Sequence, residues 1–575
     1  MQSTTDILRQ YWGYDSFRPL QEQIINSVLA GRDTLALMPT GGGKSLCYQV
    51  PAMATEGLCL VVTPLIALMK DQVEHLKRLE IKADAIYTGI TQREIDIILD
   101  NCQFGNYKFL YVSPERLQSS TFRKRLAVLP INLIAVDEAH CISQWGYDFR
   151  PAYLCIADIR EIVGLSPSGS RVPLLALTAT ATPEVVDDIQ DKLHFTEKNV
   201  LKTSFARDNL TYVVRQTDDK EQMMLNILNS VAGSSIVYVR NRQSTRQIAE
   251  YLIVHGIMAT YYHAGLSNQE KDLRQAEWKS GRVRVMVATN AFGMGIDKPD
   301  VRTVIHRDLP DSIEAYFQEA GRAGRDGQTA YAVLLYNKSD NQKAKKRITD
   351  NYPPREFIKR VYEAIGDWLE VALGYGLERT FVFPFDKFCQ EKHLPLLPTF
   401  SAIQILQQAG FLSYIDETET QPKVQLLLTK EQLYAERLTA IQEKSVAAIL
   451  RTYTGVFADP VYINEDRLCK ELNIEQKTLS ETLISLAQSQ MIRYVPRRKT
   501  PYITFVQERQ PLEYVQIPES VYEQQQGRYI ERLKAMVEYA EQKQFCRQQL
   551  MLFYFGEKDA PICQHCDVCR KNLRK

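Results

Sequence analysis

The segment Met38-Pro-Thr-Gly-Gly-Gly-Lys-Ser45 directly follows the apolar run Asp33-Thr-Leu-Ala-Leu37 and precedes a helix-compatible stretch. A glycine-rich turn between a strand and a helix lets backbone N–H groups surround an anion, and the helix N-terminus adds its positive dipole end. The sequence therefore predicts a phosphate-binding loop in an α/β sheet. The residues predicted to hold a nucleotide are Thr40, Gly41, Gly42, Gly43, Lys44 and Ser45, with Lys44 on the β- and γ-phosphates and Ser45 on Mg²⁺. Met38 stands where the general pattern has glycine, so the loop alone is an incomplete match.

Short apolar runs alternate with amphipathic helical stretches on both sides of this loop. The alternation extends from about residue 30 to 180 and resumes between residues 235 and 340. Continuous apolar strands between helices are typical of a parallel sheet that is covered on both faces. We therefore predict two α/β lobes, residues 1–203 and 204–340.

A pair of acidic residues follows another of these strands. Asp137-Glu-Ala-His140 comes directly after Leu133-Ile-Ala-Val136, where a buried strand ends. Asp137 is predicted to hold Mg²⁺ and Glu138 to polarise an attacking water, since each role needs a carboxylate. His140 completes the motif and is counted with the catalytic residues.

The second lobe carries two arginines, in Gln318-Glu-Ala-Gly-Arg-Ala-Gly-Arg325. Arg322 and Arg325 share a helical face if this segment is helical. Guanidinium groups suit a γ-phosphoryl group during transfer, and the interleaved glycines allow close backbone approach. We predict that Gln318, Arg322 and Arg325 belong to the catalytic site.

Together these motifs resemble those of superfamily 2 helicases and, in detail, the RecQ family, over residues 10–340. The resemblance implies two RecA-like lobes and an adenine site made by Phe17-Arg18-Pro-Leu-Gln21, with Tyr14 stacking on the base. It also makes Arg325 the arginine finger, supported by Arg322 and Gln318. The further motifs that carry it are Thr63-Pro-Leu65, Ser113-Pro-Glu-Arg116, Thr178-Ala-Thr180, Tyr262-His-Ala-Gly265 and Thr289-Asn-Ala-Phe-Gly-Met-Gly-Ile-Asp297.

The same resemblance assigns roles within these further motifs. Thr63 and Ser113 would grip the backbone of a single DNA strand. Thr178, Thr180 and Asp297 would link that grip to the nucleotide cleft, and Asp297 is counted with the nucleotide site.

An aromatic segment, Cys141-Ile-Ser-Gln-Trp-Gly-Tyr-Asp-Phe-Arg-Pro-Ala-Tyr153, follows the acidic motif. Its glycine, charged residues and proline break any helical or strand period, which argues against a core element. Aromatic side chains with an arginine suit stacking on unpaired bases, at about 1–3 kcal/mol per base. The segment resembles the RecQ aromatic-rich loop, which senses single-stranded DNA. Its predicted DNA contacts are Gln144, Trp145, Phe149 and Arg150.

Four of the eleven cysteines cluster as C-x16-C-x2-C-x2-C: Cys546, Cys563, Cys566 and Cys569. Four thiolates at short spacing suit tetrahedral zinc, and three close cysteines with a remote fourth also suit an iron–sulfur cluster. The spacing resembles the RecQ zinc module, which favours Zn²⁺. We predict a zinc-binding module over residues 516–575.

Residues 341–384 are predicted as a helical connector, and 385–515 as a tandem winged-helix-like region. Two segments there share the order helix, turn, helix, strand, polar turn, strand. They predict one hairpin of residues 412–415 with 424–428 and another of 492–495 with 502–506. Arg497, Arg498 and Lys499 form the tip of the second and are predicted to contact duplex phosphates and part the strands. RecQ proteins usually carry their winged helix after the zinc module. Six residues follow Cys569 here, so we expect either that these modules replace it or that the protein separates strands differently.

The composition of the chain limits where nucleic acid can bind and where the protein can be located. A net charge of only +1 requires that nucleic-acid contacts come from local patches. The sequence contains no run of eighteen apolar residues, so it predicts no membrane span. The N-terminal residues do not resemble a secretory leader. We therefore expect a cytoplasmic protein, associated with the nucleoid if it is bacterial.

The resemblance implies an ATP- and Mg²⁺-dependent 3′→5′ DNA helicase of repair and recombination, acting on single-stranded and duplex DNA, with a single-strand-binding protein as candidate partner. Two alternatives stay open. One is a translocase that remodels protein–DNA complexes with little unwinding. The other is a winged-helix DNA-binding regulator with an ATPase switch.

Overall fold

The computed structural model describes residues 3–39, 41–87, 90, 92–146, 148–293, 298–415, 422–428, 432, 438–453, 455–458, 460–495 and 501–573. Thr40, Asp297, Arg497, Arg498 and Lys499 lie outside these residues. In the described part of the chain, no helix is both long and apolar enough to cross a membrane.

The first lobe is a seven-stranded parallel sheet with the order β3-β4-β2-β5-β6-β1-β7. Its strands are β1 (Thr34–Leu37), β2 (Leu58–Val62), β3 (Ala83–Ile86), β4 (Phe109–Val112), β5 (Ile131–Val136), β6 (Leu174–Thr178) and β7 (Val200–Lys202). Its helices are α1 (Thr4–Trp12), α2 (Gln21–Leu29), α3 (Leu46–Ala54), α4 (Ile66–Arg78), α5 (Gln92–Phe104), α6 (Ser120–Leu126), α7 (Cys155–Val163) and α8 (Pro183–Lys192). The central strands are buried along their whole length, because helices cover both faces.

The second lobe is a six-stranded parallel sheet with the order β10-β11-β9-β12-β13-β8. Its strands are β8 (Leu210–Gln216), β9 (Ser234–Tyr238), β10 (Ala259–Tyr262), β11 (Val285–Ala288), β12 (Val301–His306) and β13 (Ala330–Tyr336). Its helices are α9 (Lys220–Ser230), α10 (Arg242–Val254), α11 (Asn268–Lys279), α12 (Ile313–Ala320) and α13 (Ser339–Asn351). The predicted pair of parallel-sheet lobes is confirmed.

Two small antiparallel sheets follow the lobes. The elements are α14 (Arg355–Trp368), β14 (Thr380–Val382), α15 (Phe385–Glu391), α16 (Leu396–Gln408), β15 (Leu412–Ile415), β16 (Lys423–Leu426), α17 (Ala440–Thr452), β17 (Val461–Tyr462), α18 (Glu465–Leu472), α19 (Gln476–Gln488), β18 (Ile492–Val495) and β19 (Tyr502–Phe505). The chain then forms α20 (Glu523–Glu541), α21 (Arg547–Tyr554) and α22 (Asp567–Leu573) around the cysteine cluster.

The two predicted hairpins are wrong, because the strands exchange partners. β15 pairs with β19, with Ile415 opposite Tyr502, whereas β16 pairs with β18, with Lys423 opposite Val495. Residues 423–495, which we call the inserted module, are therefore nested within an outer module built from residues on either side. β18 and β19, the described strands on either side of residues 496–500, belong to different sheets and do not pair with each other.

The buried side chains explain this exchange. Val424 and Ile492 lie in one apolar core with Leu483 of α19. Leu412 and Phe505 lie in a separate core that also holds residues of α14 and α16. Each strand pairs where its own apolar face is covered, so proximity in sequence does not decide the partner.

Candidate active site

Residues predicted to bind the nucleotide and the DNA strand lie together at one edge of the first sheet. The glycine loop follows β1, Thr63 follows β2, Ser113 follows β4 and Asp137 follows β5. Since parallel strands end at the same edge, motifs far apart in sequence meet there.

The glycine loop is held by the side chains predicted to recognise adenine. The amide of Gln21 donates to the carbonyl of Gly43 at 2.9 Å, and the Arg18 guanidinium donates to the carbonyl of Gly41 at 2.7 Å. Gly41 and Gly43 have φ values of 82° and 78°, a backbone region that favours glycine. A Cβ on Gly43 would lie 2.5 Å from the Gln21 amide nitrogen, so a side chain there would displace the Gln21 amide from the loop. Tyr14 is exposed nearby in sequence, available to a base.

The acidic pair fits a magnesium ion and a water molecule. The carboxylate of Asp137 accepts from the Glu138 N–H at 3.0 Å and from the Thr63 hydroxyl at 3.5 Å. Burial, reinforced by the Glu138 charge and opposed by Lys44, raises the pKa of Asp137 to about 6. Glu138 Oε2 is buried, makes no hydrogen bond, and lies 3.4 Å from Nδ1 of His140. Asp137 and the Ser45 hydroxyl supply the oxygen ligands that Mg²⁺ prefers.

His140 lies behind this pair. Its Nδ1 is 2.9 Å from the Thr178 hydroxyl, and burial lowers its pKa to about 4, so the ring is neutral at physiological pH. It links the acidic motif to the end of β6. Its position suits a connecting role rather than proton transfer.

The second lobe reaches across the cleft to the glycine loop. A Cβ built on Gly41 would lie 3.5 Å from Cγ of Arg325. The Gln318 amide donates to the Thr180 hydroxyl at 3.2 Å, and Arg322 donates to the carbonyl of Gly293. α12 ends at Ala320, so Arg322 and Arg325 lie in the turns after it and do not share a helical face. The residues nevertheless meet at one cleft.

The aromatic loop connects the acidic motif to helix α20. The Tyr153 hydroxyl donates to the carbonyl of Asp137 at 3.0 Å. Trp145 is 49% exposed, and the guanidinium of Arg528 lies 3.9 Å from its ring centroid. Arg528 also donates to the carbonyl of Gln144 at 2.9 Å, and Arg532 to that of Gly146 at 2.8 Å.

Sequence reasoning missed Arg528 and Arg532 as partners of this loop. The available signal was two arginines four residues apart on a helix, which places both on one face. Within the loop, Arg150 pairs with Asp148 at 3.2 Å, and Phe149 is partly buried.

The two residues predicted to grip a strand are both nearly enclosed. Thr63 bonds to Asp137, which ties it to the nucleotide site. Ser113 is 3% exposed, and its hydroxyl has no hydrogen-bond partner.

The four clustered cysteines form a compact sulfur site. Their sulfur atoms all lie within 4.8 Å of one another, and none of these cysteines forms a disulfide. Backbone N–H groups donate to three of the sulfurs: Cys563 N to Cys546 Sγ, Cys566 N to Cys563 Sγ, and Cys569 N to Cys566 Sγ, at 3.3–3.4 Å. Such bonds favour thiolates, the form that binds zinc.

The cluster is also fixed to the second lobe. Asp567, between two of the cysteines, accepts from the Val214 N–H of β8 at 3.2 Å and from Arg547 at 3.1 Å.

Two parallel-sheet lobes that share a phosphate loop, an acidic pair and a cross-cleft arginine define the class of helicase-type ATPases. Comparison with known proteins agrees. Residues 18–189 match the DEAD/DEAH box helicase family and 219–327 the helicase conserved C-terminal domain. Residues 424–496 match the RecQ helicase winged-helix domain of Bacteroidota, and 505–570 match the RecQ zinc-binding domain. The chain belongs to the RecQ family.

Curated relatives support the same assignment. The ATP-dependent DNA helicase RecQ of Pasteurella multocida (strain Pm70) is 41% identical over 372 residues, 64% of this chain and 58% of that protein. RecQ of Bacillus subtilis (strain 168) is 43% identical over 337 residues, 58% of this chain and 56% of that protein. The chain thus spans little more than half the length of these relatives.

A solved structure shares the fold. The DUF1998 helicase MrfA bound to DNA superposes with a TM-score of 0.50 at 17% identity, over 60% of this chain and 49% of that protein.

Proposed function

We propose that this chain is an ATP- and Mg²⁺-dependent DNA helicase that moves 3′→5′ on single-stranded DNA and unwinds duplexes during repair and recombination. The observation that carries the proposal is the close approach of Arg325 to the glycine loop of the opposite lobe, where a Cβ added to Gly41 would lie 3.5 Å from Arg325 Cγ. ATP bound at that loop would touch both lobes, so its hydrolysis would change how they meet. Polarity and the repair role follow from family membership.

The residues of the cleft divide the chemistry between them. Lys44 and Arg325 would neutralise the γ-phosphoryl group from opposite sides. Glu138 would orient and polarise the attacking water through its buried carboxylate, whose Oε2 lies 3.4 Å from Nδ1 of His140. Ser45 and Asp137 would hold Mg²⁺, which supplies positive charge to the phosphate oxygens. Arg322 and Gln318 would position the second lobe, with Asp297 joining the nucleotide site.

DNA contacts and zinc belong to the same proposal. Thr63 and Ser113 would hold a strand backbone, and the loop residues Gln144, Trp145, Phe149 and Arg150 would contact bases. Cys546, Cys563, Cys566 and Cys569 would bind one structural Zn²⁺. We further propose that the protein is cytoplasmic, and nucleoid-associated if bacterial. Its proposed protein partner is a single-strand-binding protein.

Strand release tests the proposal. We expect ATP-dependent release of a labelled strand from a duplex with a 3′ tail, little release with a 5′ tail, and none with Lys44→Ala. Release that is equal without ATP would contradict a motor. Stimulation of ATPase by DNA with no release from any tailed duplex would favour the translocase.

The nested strands give the translocase a specific observation in its support. β18 and β19 belong to different sheets, so these two strands do not form the hairpin that was expected to part a duplex. Displacement of streptavidin from biotinylated single strands, without duplex unwinding, would identify that activity. Binding of a specific duplex sequence, unchanged when ATP is hydrolysed, would instead identify the regulator.

A further inference from the structure

Helix α12 carries a buried carboxylate whose hydrogen bonding is incomplete. Glu314, in the first turn of α12, is 4% exposed, and its Oε1 accepts from the Tyr554 hydroxyl of the zinc-binding module at 3.0 Å. Its Oε2 is buried and makes no hydrogen bond, and Glu314 forms no ion pair with any residue that the structure describes. A buried carboxylate is normally paired or fully hydrogen-bonded, because removing its charge from water is costly. One acceptor position on α12 is therefore available to a cationic donor.

An arginine of the opposite charge lies beside the same tyrosine. Arg532 of α20 is half-buried, and among the described residues it forms no ion pair. Burial raises the pKa of Tyr554, the Glu314 carboxylate raises it further, and the positive charge of Arg532 opposes the rise. Opposite charges on α12 and α20 thus both act on the Tyr554 hydroxyl.

The face of α20 that carries Arg532 also packs against α12. Arg532 and Tyr539 are seven residues apart, so they lie on one face of the helix. The ring of Tyr539 lies 5.4 Å from that of Tyr316 in α12. The residues of this face therefore lie between the aromatic loop, which Arg532 contacts, and α12.

Arg532 donates its hydrogen bonds to backbone carbonyls. Its Nη1 donates to the carbonyl of Gly146 in the aromatic loop at 2.8 Å, and its Nε donates to the carbonyl of Arg528 at 3.3 Å. The acceptor of Nη1 belongs to the segment predicted to contact DNA, so a strand that draws this segment away from α20 would remove it. The half-buried guanidinium would then need another acceptor, and a carboxylate accepts a stronger bond than a carbonyl does.

α12 connects the Glu314 carboxylate to the nucleotide cleft. Gln318, one turn further along this helix, donates to the Thr180 hydroxyl of the first lobe at 3.2 Å. The helix ends at Ala320, five residues before Arg325. A bond made to Glu314 therefore acts on the helix that leads to the cross-cleft residues.

We propose that Arg532 is a positioning residue with two alternative partners, the Gly146 carbonyl that it contacts and the Oε2 of Glu314. Single-stranded DNA that draws the aromatic loop from α20 would transfer Arg532 to Glu314. The new bond would tie α12 to α20 and hold Arg325 in the closed cleft, while Tyr554 keeps Oε1 occupied. We call Arg532, Tyr554 and Glu314 the arginine relay. The inference rests on the proposed DNA-stimulated ATPase and gives a route from the bound strand to the ATP site.

The relay predicts a coupling between Arg532 and Glu314 that exists only with DNA. We expect Glu314→Gln and Arg532→Ala to keep the wild-type ATPase rate without DNA. Each should lose about fivefold or more of the DNA-stimulated kcat, the lower end of typical coupling between sites. The double variant should lose no more than either single variant, because both remove the same bond. Arg532→Lys, which keeps a cation, should retain part of the stimulation. Steady-state ATPase over a titration with an oligothymidylate measures these effects.

The same titration separates the relay from DNA binding and from general charge. The DNA concentration for half-maximal stimulation should stay at the wild-type value in Glu314→Gln, because Glu314 does not contact the aromatic loop. Glu184→Gln removes an exposed carboxylate of α8 that also acts on Tyr554, and Lys534→Ala removes an exposed cation of α20. Both controls should be stimulated as the wild type is. An unchanged zinc content in Glu314→Gln and Arg532→Lys would show that the zinc-binding module is folded.

Three results would contradict these expectations. Full stimulation of both Glu314→Gln and Arg532→Ala, or additive losses in the double variant, would overturn the relay while the helicase proposal stands. A coupling of equal size without DNA would show a fixed ion pair and would overturn the exchange of partners. A wild-type ATPase that single-stranded DNA does not stimulate would overturn the proposed function as well.

Discussion

Glu138, the second residue after β5, has a left-handed backbone with φ of 48°. Such a conformation costs a residue other than glycine about 1–3 kcal/mol and is retained where the surroundings require it. Here it accompanies a carboxylate oxygen that is buried without a hydrogen-bond partner. Both features suit a side chain that is held ready for a water molecule.

Replacement of this carboxylate should therefore separate binding from hydrolysis. We expect Glu138→Gln to bind ATP with near wild-type affinity and to hydrolyse it about 10²- to 10⁴-fold more slowly, the usual range for a lost general base. Lys44→Ala should weaken nucleotide binding as well. Fluorescent-nucleotide titration and steady-state ATPase measure the two effects. Glu161→Gln, on the exposed face of α7, is the matched control. Near-normal turnover in Glu138→Gln would remove Glu138 from its assigned role.

At the scale of elements, the aromatic loop lies between the acidic motif and α20. Tyr153 contacts the backbone of Asp137, and Arg528 covers the ring of Trp145. A base that stacks on the face of Trp145 that Arg528 covers would have to displace Arg528, which would link DNA binding to α20.

Trp145→Ala should uncouple the binding of single-stranded DNA from ATP hydrolysis. We expect its basal ATPase to match the wild type, because the indole does not contact the nucleotide site, and its stimulation by single-stranded DNA to fall at least tenfold. Phe104→Ala, which removes another exposed aromatic from the same lobe, should be stimulated normally. Full stimulation of Trp145→Ala would show that the sensor lies elsewhere.

Sequence patterns suffice for the lobes and fail for the nested modules, for a physical reason. In the lobes, each strand is a continuous apolar run next to its own crossover helix, so local pattern and fold agree. β15 and β16 are only four residues each, and both have one buried face. Their partners depend on which core covers that face, which the local pattern of residues 412–428 does not contain. Likewise, short sequence motifs were enough to predict the roles of Lys44 and Glu138. The contact of Arg528 with Trp145 joins residues 383 positions apart, so no local motif could predict it.

The zinc-binding module is expected to hold one structural zinc ion. Purified protein should contain about one zinc per chain and no visible absorption band, because d¹⁰ zinc thiolates are colourless. Cys566→Ser should lower the zinc content and destabilise residues 505–570, since metal binding contributes folding energy. Cys389→Ser, at a buried cysteine outside the cluster, should keep its zinc. Metal analysis that finds iron, with absorption near 400 nm, would identify an iron–sulfur cluster instead.

On the scale of the whole molecule, the zinc-binding module contacts both lobes and the linker between them. Asp567 bonds to β8 of the second lobe, and Gly556 packs against Pro183 of the first. Between these contacts, the Glu557 carboxylate accepts from the Ser204 hydroxyl and from the Phe205 N–H, each at 2.7 Å.

The linker residue that Glu557 holds is also packed against the helix that leads to the arginine finger. The ring of Phe205 lies 5.4 Å from that of Phe555 in the zinc-binding module and 5.9 Å from that of Phe317 in α12. α12 ends five residues before Arg325. The path from Glu557 through the linker thus reaches the group that faces the glycine loop. The linker between the lobes is thus held by a residue that lies more than 350 residues further along the chain.

Glu557→Ala should therefore loosen the lobe closure that brings Arg325 to the nucleotide. Hydrogen bonds to a charged group contribute about 1.5–3 kcal/mol each, so their loss is large enough to shift the balance between open and closed lobes. We expect a several-fold higher KM for ATP and a lower DNA-stimulated kcat, with zinc content and lobe folding unchanged. Glu557→Gln, which keeps a carbonyl acceptor, should have a smaller effect. Lys558→Ala, at the exposed neighbouring position, is the control and should behave as the wild type. If Glu557→Ala matches Lys558→Ala in both KM and kcat, the linker contact is structural only, and closure depends on contacts between the lobes themselves.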